Sequence, residues 1–297
     1  MNRGIWSAIG AYTMWGLVPV YFKLLAQVPA LELVGHRMVW SCLMLCGAIV
    51  ITRQWRAFRE HALRFKVVRA YVLAAMLISV NWLVYVWAVN NGFIIEASLG
   101  YFINPLISVL MAVVLLHERL RPWQWVAVSL AVVGVAYLTV IHGSLPWIAL
   151  ALAFSFAFYG LIKKKSPLGA LFGLTLETGI LLLPALVYLL LLEGDGQGAF
   201  IHSGALIDIL LIGCGLVTAI PLLLFSSAAQ RIPLALLGVL QYIGPTLQFL
   251  IAILIYREPF TLDKLIGFGI IWTALLIFAI EGFLAHRAQA EPLAEMM

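Results

Sequence analysis

Charge is what this chain has least of. Only 10% of its 297 residues are Asp, Glu, Lys or Arg, against about a quarter in a soluble domain, and 64% are hydrophobic. A chain this poor in charge cannot cover itself in water, which places it in a bilayer. Cysteine is scarce and odd in number. Cys42, Cys46 and Cys214 show no CxxC spacing and fall inside apolar stretches, which excludes a disulfide framework or a zinc site and leaves small buried hydrophobes. The six histidines are scattered, so no metal and no cofactor is expected. Catalytic signatures are missing as well: there is no GxSxG, the run His117 to Arg121 lacks the second histidine of HExxH, and the glycines at Gly213 and Gly215 fail GxGxxG. An enzyme is not expected. With no ATP-binding motif, any work the chain does would draw on a gradient or an exchange. A cleavable leader is not expected either, because the first apolar stretch lacks an A-x-A-like site and runs on through Tyr12, Trp15 and Lys23.

What is present is a series of apolar runs of about 18 to 22 residues, each reaching the roughly 30 Å of a hydrocarbon core at about 1.5 Å per residue. A barrel would need weakly alternating ten-residue segments instead. The expected fold class is an all-α integral membrane protein with ten transmembrane helices. Spans 1 to 10 cover about 5–25, 32–52, 70–90, 95–116, 123–141, 146–163, 169–192, 206–229, 235–256 and 264–284.

A repeat organises these spans. The stretch Glu96 to Glu118 returns as Gln241 to Glu258, with Phe102 matching Tyr242, Ile103 Ile243, Pro105 Pro245 and Glu118 Glu258, all at an offset of 140 residues. Five spans fall in each half, and because five is odd, two like halves must enter the membrane from opposite sides. The first five-helix repeat is 1–141 and the second 146–284, followed by a polar cytoplasmic tail, 285–297, expected to be disordered. Loop charge supports this arrangement. With a cytoplasmic N-terminus, the six basic residues from Arg53 to Arg69, Arg119, Arg121, Lys163 to Lys165, Arg231 and Arg287 fall inside with Arg3, and only Arg257 and Lys264 fall outside. Both termini are then cytoplasmic. The net charge of +5 reflects topology and not a nucleic-acid surface. Trp55, Phe58 and Phe65 interleave the arginines of Thr52 to Arg69, which reads as a short interfacial helix on anionic lipid. The acidic, glycine-rich Glu193 to Gly198 reads as a flexible outer loop.

A charged group at mid-span costs about 2.5–3.5 kcal/mol, so polar residues there mark a path or a partner. Span 1 sets Tyr12, Trp15, Gly16, Pro19 and Phe22 on one face, and Pro19 would free a carbonyl for a substrate or ion. Asn81, Trp82 and Tyr85 on span 3, and Gly100, Tyr101 and Asn104 on span 4, each present amides and aromatics to one side. With Trp15, with Tyr159 on span 6 and with Gln241 and Gln248 on span 9, they would line a cavity for an amphipathic solute. Interhelical hydrogen bonding is the other use open to each Asn. Lys23, Arg37 and Glu96 share the outer half. Glu96 is expected to pair with Arg37 or Lys23 as an outer gate or part of the site, with a structural ion pair, or snorkelling by Lys23, as the alternatives. Glu177 on span 7 has no charged partner close in sequence and is the candidate for proton coupling; an ion pair with Lys163 or Lys164 is equally open. Spans 5 and 10 carry almost no polar groups and read as lipid-facing supports.

Six segments, WGLVPVYFK from Trp15, HR at His36, NWLVYVWAVNN from Asn81, EASLGYFINPL from Glu96, SFAFYGLIKKK from Ser155 and QYIGPT from Gln241, carry a family resemblance. The chain resembles the RarD-type permeases of the EamA family, in the drug/metabolite transporter superfamily. The resemblance implies two inverted five-helix repeats, an inner-membrane location and a cavity built mainly from spans 1, 3, 4, 6, 8 and 9. The family closes spans 4 and 9 with Gly-Glu; here His117-Glu118 and Arg257-Glu258 keep the Glu and lose the Gly. The function expected is that of a secondary transporter, a permease with export favoured, moving a small amphipathic metabolite or drug-like solute by alternating access. Its partners would be that substrate and membrane lipid, with no nucleic acid, and the monomer is its simplest state. The alternative is a non-transporting scaffold or sensor that binds partners through the basic 53–69 segment.

Overall fold

The computed structural model describes residues 3–91, 94–142, 147–255 and 262–294. Twelve helices and no strand are found among the described residues. They are α1 (Arg3–Lys23), α2 (Ala30–Ile51), α3 (Trp55–Ala62), α4 (Phe65–Asn90), α5 (Ile94–Leu116), α6 (Pro122–His142), α7 (Trp147–Lys165), α8 (Ala170–Gly194), α9 (Ala205–Arg231), α10 (Leu234–Leu240), α11 (Ile243–Leu254) and α12 (Leu262–Ala294). Eight segments among the described residues are long and apolar enough to cross a membrane, the one at Leu234–Ile251 running through α10 and into α11. The shorter apolar stretch Gly100–Leu116 belongs to α5, and α1 adds 21 residues bounded by Arg3 and Lys23.

Three elements differ from the expected spans. Span 3 begins earlier, as α4 from Phe65, and span 10 runs on to Ala294, so most of the tail expected to be disordered continues a helix. Span 9 is broken at Gln241–Tyr242. Pro245 has no N–H to offer the Gln241 carbonyl, which accepts instead from Gly244, three residues on, at 3.1 Å, and Tyr242 donates back to Val239 at 3.2 Å. The expected short helix between spans 2 and 3 is α3. Its Phe58 is buried against Phe172 of α8, with ring centroids 5.6 Å apart, while Arg56 and Arg59 are exposed.

Most close pairings run between the two halves of the chain. α1 packs on α9 and α11, α4 on α7 and α8, α2 on α8 and α9, α5 on α7 and α10, and α6 on α12. Advancing by 140 residues carries α1 to α7, α2 to α8, α4 to α9, α5 to α10–α11 and α6 to α12. Under that exchange α1 with α9 becomes α7 with α4, α1 with α11 becomes α7 with α5, and α2 with α9 becomes α8 with α4. The pairings of α2 with α8, α5 with α10 and α6 with α12 map onto themselves. The main apolar core accordingly draws on both halves, from Ala8, Tyr12 and Ala112 to Ala219, Phe225 and Leu237.

Two glycines let backbones approach closely in these pairings. A Cβ on Gly100 would lie 3.2 Å from both Cα and O of Ala149, so glycine is what lets α5 meet α7. A Cβ on Gly215 would lie 2.7 Å from the Trp40 backbone, so α9 lies directly against α2. That second contact brings Arg37 of α2 within reach of Thr218 of α9.

Candidate functional site

A cavity of about 390 Å³ lies between the two halves, a size suited to a small organic molecule. Trp15, Pro19 and Phe22 of α1 face Asn81, Trp82 and Tyr85 of α4 across it. α5 contributes Tyr101 and Asn104, α7 Leu152 and Phe156, α2 Arg37, and the α10–α11 break Gln241, Pro245 and Gln248. These residues come from the C-terminal halves of α1 and α4 and the N-terminal halves of α2, α5 and α7. The cavity therefore occupies the middle and one end of the bundle.

The other end is closed by stacked layers. Tyr12, 1% exposed, donates its hydroxyl to the Leu237 carbonyl at 3.1 Å. Phe225 lies against Tyr12, Trp15 and Phe156, with centroids 6.3, 5.7 and 5.3 Å away, and stacks on Tyr159 at 6.0 Å. Beneath this aromatic floor, Glu177 accepts from Tyr159 at 3.0 Å and from the Lys163 ammonium at 2.7 Å. Lys163 also stands 5.5 Å from the ring centres of Tyr71 and Tyr159, and Tyr71 is hydrogen-bonded to Ser166. Glu118, just past the end of α5, accepts from the backbone N–H groups of Leu234 and Ala235 at 2.8 and 3.0 Å and so caps α10. Lys164 lies 3.9 Å from the same carboxylate and donates to the Ile232 carbonyl at 2.7 Å.

Eight of the expected cavity residues are brought together: Trp15, Asn81, Trp82, Tyr85, Tyr101, Asn104, Gln241 and Gln248. Tyr159 is not among them. Leu152 and Phe156 turn the cavity-facing side of α7 inward, and Tyr159, further toward the closed end, is fully buried under Phe225 with its hydroxyl on Glu177. Arg37, expected in an outer gate or in the site itself, stands in the cavity wall. Its Nε donates to Thr218 at 2.9 Å, and its guanidinium lies over the rings of Trp82 and Phe22 at 4.8 and 5.3 Å. Lys23 is exposed at the end of α1 and does not line the cavity. The side chain of Glu96 lies outside the described residues, and with it the expected pairing. Glu177 makes an ion pair with Lys163, the alternative that stood beside proton coupling in the sequence.

The amides divide by use. Asn81 donates to the Leu152 carbonyl at 2.8 Å and to Ser155 at 2.9 Å, tying α4 to α7 while it lines the cavity. Gln248 donates at 3.2 Å to the Trp15 carbonyl, the one that Pro19 leaves without its helical donor, so that carbonyl is already taken. Asn104 is 4% exposed and its Oδ1 is buried without a hydrogen-bond partner. Sequence reasoning missed Phe156, which follows Leu152 by one turn, and Thr218, whose lone hydroxyl in the apolar run of α9 was the available signal.

Residues 2–140 match the EamA-like transporter family. Protein RarD of Streptomyces exfoliatus is 47% identical over 290 residues, covering 97% of this chain and 92% of that protein. The uncharacterized transporter YojE of Bacillus subtilis is also 47% identical, over 97% of each chain. One solved crystal structure superposes with a TM-score of 0.72 at 19% identity, over 93% of this chain and 97% of the other, and so shares the fold. A match to the family across the first half and near-full-length relatives at this identity lead to one conclusion: this multi-pass membrane protein belongs to the EamA family, as one of its RarD-type permeases.

Proposed function

We propose that the protein is a secondary transporter of the bacterial inner membrane. It moves a small amphipathic metabolite or drug-like solute by alternating access between two inverted five-helix repeats, with ten spans and both termini cytoplasmic. The observation that carries this reading is a cavity at the meeting of the two halves, aromatic and amide-lined, reached from one end and sealed at the other. The exchange-symmetric helix pairings and the offset of 140 residues support the repeat, and loop charge supports the orientation. In that orientation the cavity faces outward, and the sealed end carries Glu118, Lys164 and α3 at the cytoplasmic face. Export is the favoured direction.

The test is solute flux into and out of proteoliposomes containing the purified chain. Asn104→Leu and Trp15→Ala should lower flux at least about tenfold, the effect of losing about 1.4 kcal/mol of binding, while the protein stays folded. Unchanged flux in both would remove the cavity from the pathway. The scaffold alternative makes the opposite forecast: the purified chain supports no solute flux, and replacing Arg56 and Arg59 on α3 with Gln ends its function.

A further inference from the structure

Of the cavity-lining side chains, Arg37 alone carries a formal charge, and no ion pair is made to it among the described residues. Its guanidinium is oriented without being used up. Nε is held by Thr218 at 2.9 Å, the plane is fixed over Trp82 and Phe22, and the two terminal nitrogens have no hydrogen-bond partner among the described residues. Two parallel N–H donors in a fixed plane match the two oxygens of a carboxylate. The close approach of Gly215 to Trp40 holds α2 against α9, so the aim of this group is set by backbone packing. A second observation is independent of the first. Asn104, 4% exposed in the same lining, keeps a buried Oδ1 with no donor, a state that proteins rarely leave unfilled. The rings of Trp15, Trp82 and Phe156 share the lining with these two polar points.

We propose that the cavity takes an amphipathic organic anion: its carboxylate on Arg37, an aromatic-sized apolar body against Trp15 and Phe156, and an N–H or O–H donor at Asn104. The assignment rests on the transporter reading of the same cavity and names its substrate class. Quaternary amines and other cations are disfavoured, because they would meet a like charge with no acidic group in the described lining to offset it.

Binding to the purified full chain in detergent tests this, by calorimetry with matched probes. N-acetylphenylalanine carries carboxylate, ring and N–H; N-acetylphenylalaninamide lacks the charge, 3-phenylpropionate lacks the donor, and phenethyltrimethylammonium reverses the charge. The acid should bind at least about tenfold more tightly than the amide, the size of one charge-assisted hydrogen bond, and the ammonium should not compete. Arg37→Gln should collapse the acid-to-amide ratio toward one, and Arg37→Lys should keep part of it. Asn104→Leu should reduce the advantage of N-acetylphenylalanine over 3-phenylpropionate and leave the charge preference intact, a readout that survives if Arg37→Gln fails to fold. Equal affinity for acid and amide, tighter binding of the ammonium, an undiminished acid preference in Arg37→Gln, or no binding of either carboxylate would overturn the assignment. An acid that binds through Arg37 but never crosses a proteoliposome membrane would leave it standing and sink the transport reading. Flux of neutral or cationic solutes indifferent to Arg37 would do the reverse.

Discussion

Lys163 and Glu177 are 1% and 2% exposed, and either would be costly to bury alone. Removing one partner of such a pair costs about 3–5 kcal/mol, whereas replacing both by neutral groups of similar volume is often harmless. Glu177→Gln should therefore lower the thermal stability of the purified protein sharply, and adding Lys163→Met should restore most of the loss. The double variant also decides the proton-coupling proposal for Glu177. If a pH gradient drives flux through this pair, the double variant folds and loses that dependence; if the pair is only a strut, dependence on the gradient is retained. Arg37 carries the opposite kind of energetics, a cation facing a cavity with no ion pair among the described residues. A second cation about 4 Å away would be repelled by about 4 kcal/mol at an effective dielectric constant of about 20, which is enough to decide what enters. The polar identities of the site were legible in the sequence, since Asn81, Asn104, Gln241 and Gln248 stand out in apolar spans. Their partners were not. Ser155 lies 74 residues from Asn81, and Thr218 lies 181 residues from Arg37, distances that only folding closes.

The ends of helices show how local rules and tertiary contacts share control. α5 stops at Leu116 because His117 adopts a left-handed conformation, with φ of 54°, and the Glu118 N–H reaches back to the Ala112 carbonyl at 3.0 Å. Glycine would hold this position without the penalty of about 1–2 kcal/mol that a side chain brings. His117→Gly should raise the thermal midpoint by a few degrees, as scanning calorimetry in detergent would register. The missing Gly of the family pattern thus removes the low-cost residue and leaves the conformation. Pro105 and Pro245 make the complementary point. They occupy matching places in the repeat, yet α5 runs straight through its proline while α10 and α11 part at theirs. Tyr242 donates its hydroxyl to the Phe102 carbonyl at 3.1 Å, and Phe102, its counterpart, has no hydroxyl to return. Gln241, Tyr242 and Gly244 stand there where the first half has Tyr101, Phe102 and Asn104, changes that apolar periodicity does not reveal. The cap on α10 belongs to this scale as well. Glu118→Ala should cost about 0.5–2 kcal/mol and loosen the closed end. With Cys42, Cys46 and Cys214 replaced, a Ser226→Cys reporter should react faster with a thiol reagent from that side when Glu118 is removed.

For the whole molecule, the interlocked pairing means that neither half has a core of its own. The apolar periodicity made the helices visible, and the repeat made their partnership visible; the element missing from that account was the role of α2 in the cavity wall, because a gate and a wall residue look alike in sequence. Orientation is testable in intact cells. In a background without the native cysteines, Gln197→Cys in the loop after α8 should be labelled by a membrane-impermeant maleimide and Arg59→Cys on α3 should not. The reverse pattern would invert the protein in the membrane and turn the cavity to the cytoplasm. Under the proposed alternating access, the Glu118 cap would also set a resting population. If opening the sealed end parts α5 from α10, the two hydrogen bonds from N–H to the Glu118 carboxylate break with it, about 0.5–2 kcal/mol for the cap as a whole. A bias of about 2 kcal/mol would leave roughly one empty molecule in thirty open on that side. An unloaded carrier so weighted would wait facing one way and leak little, and only a cargo that binds the other state more tightly would turn it over.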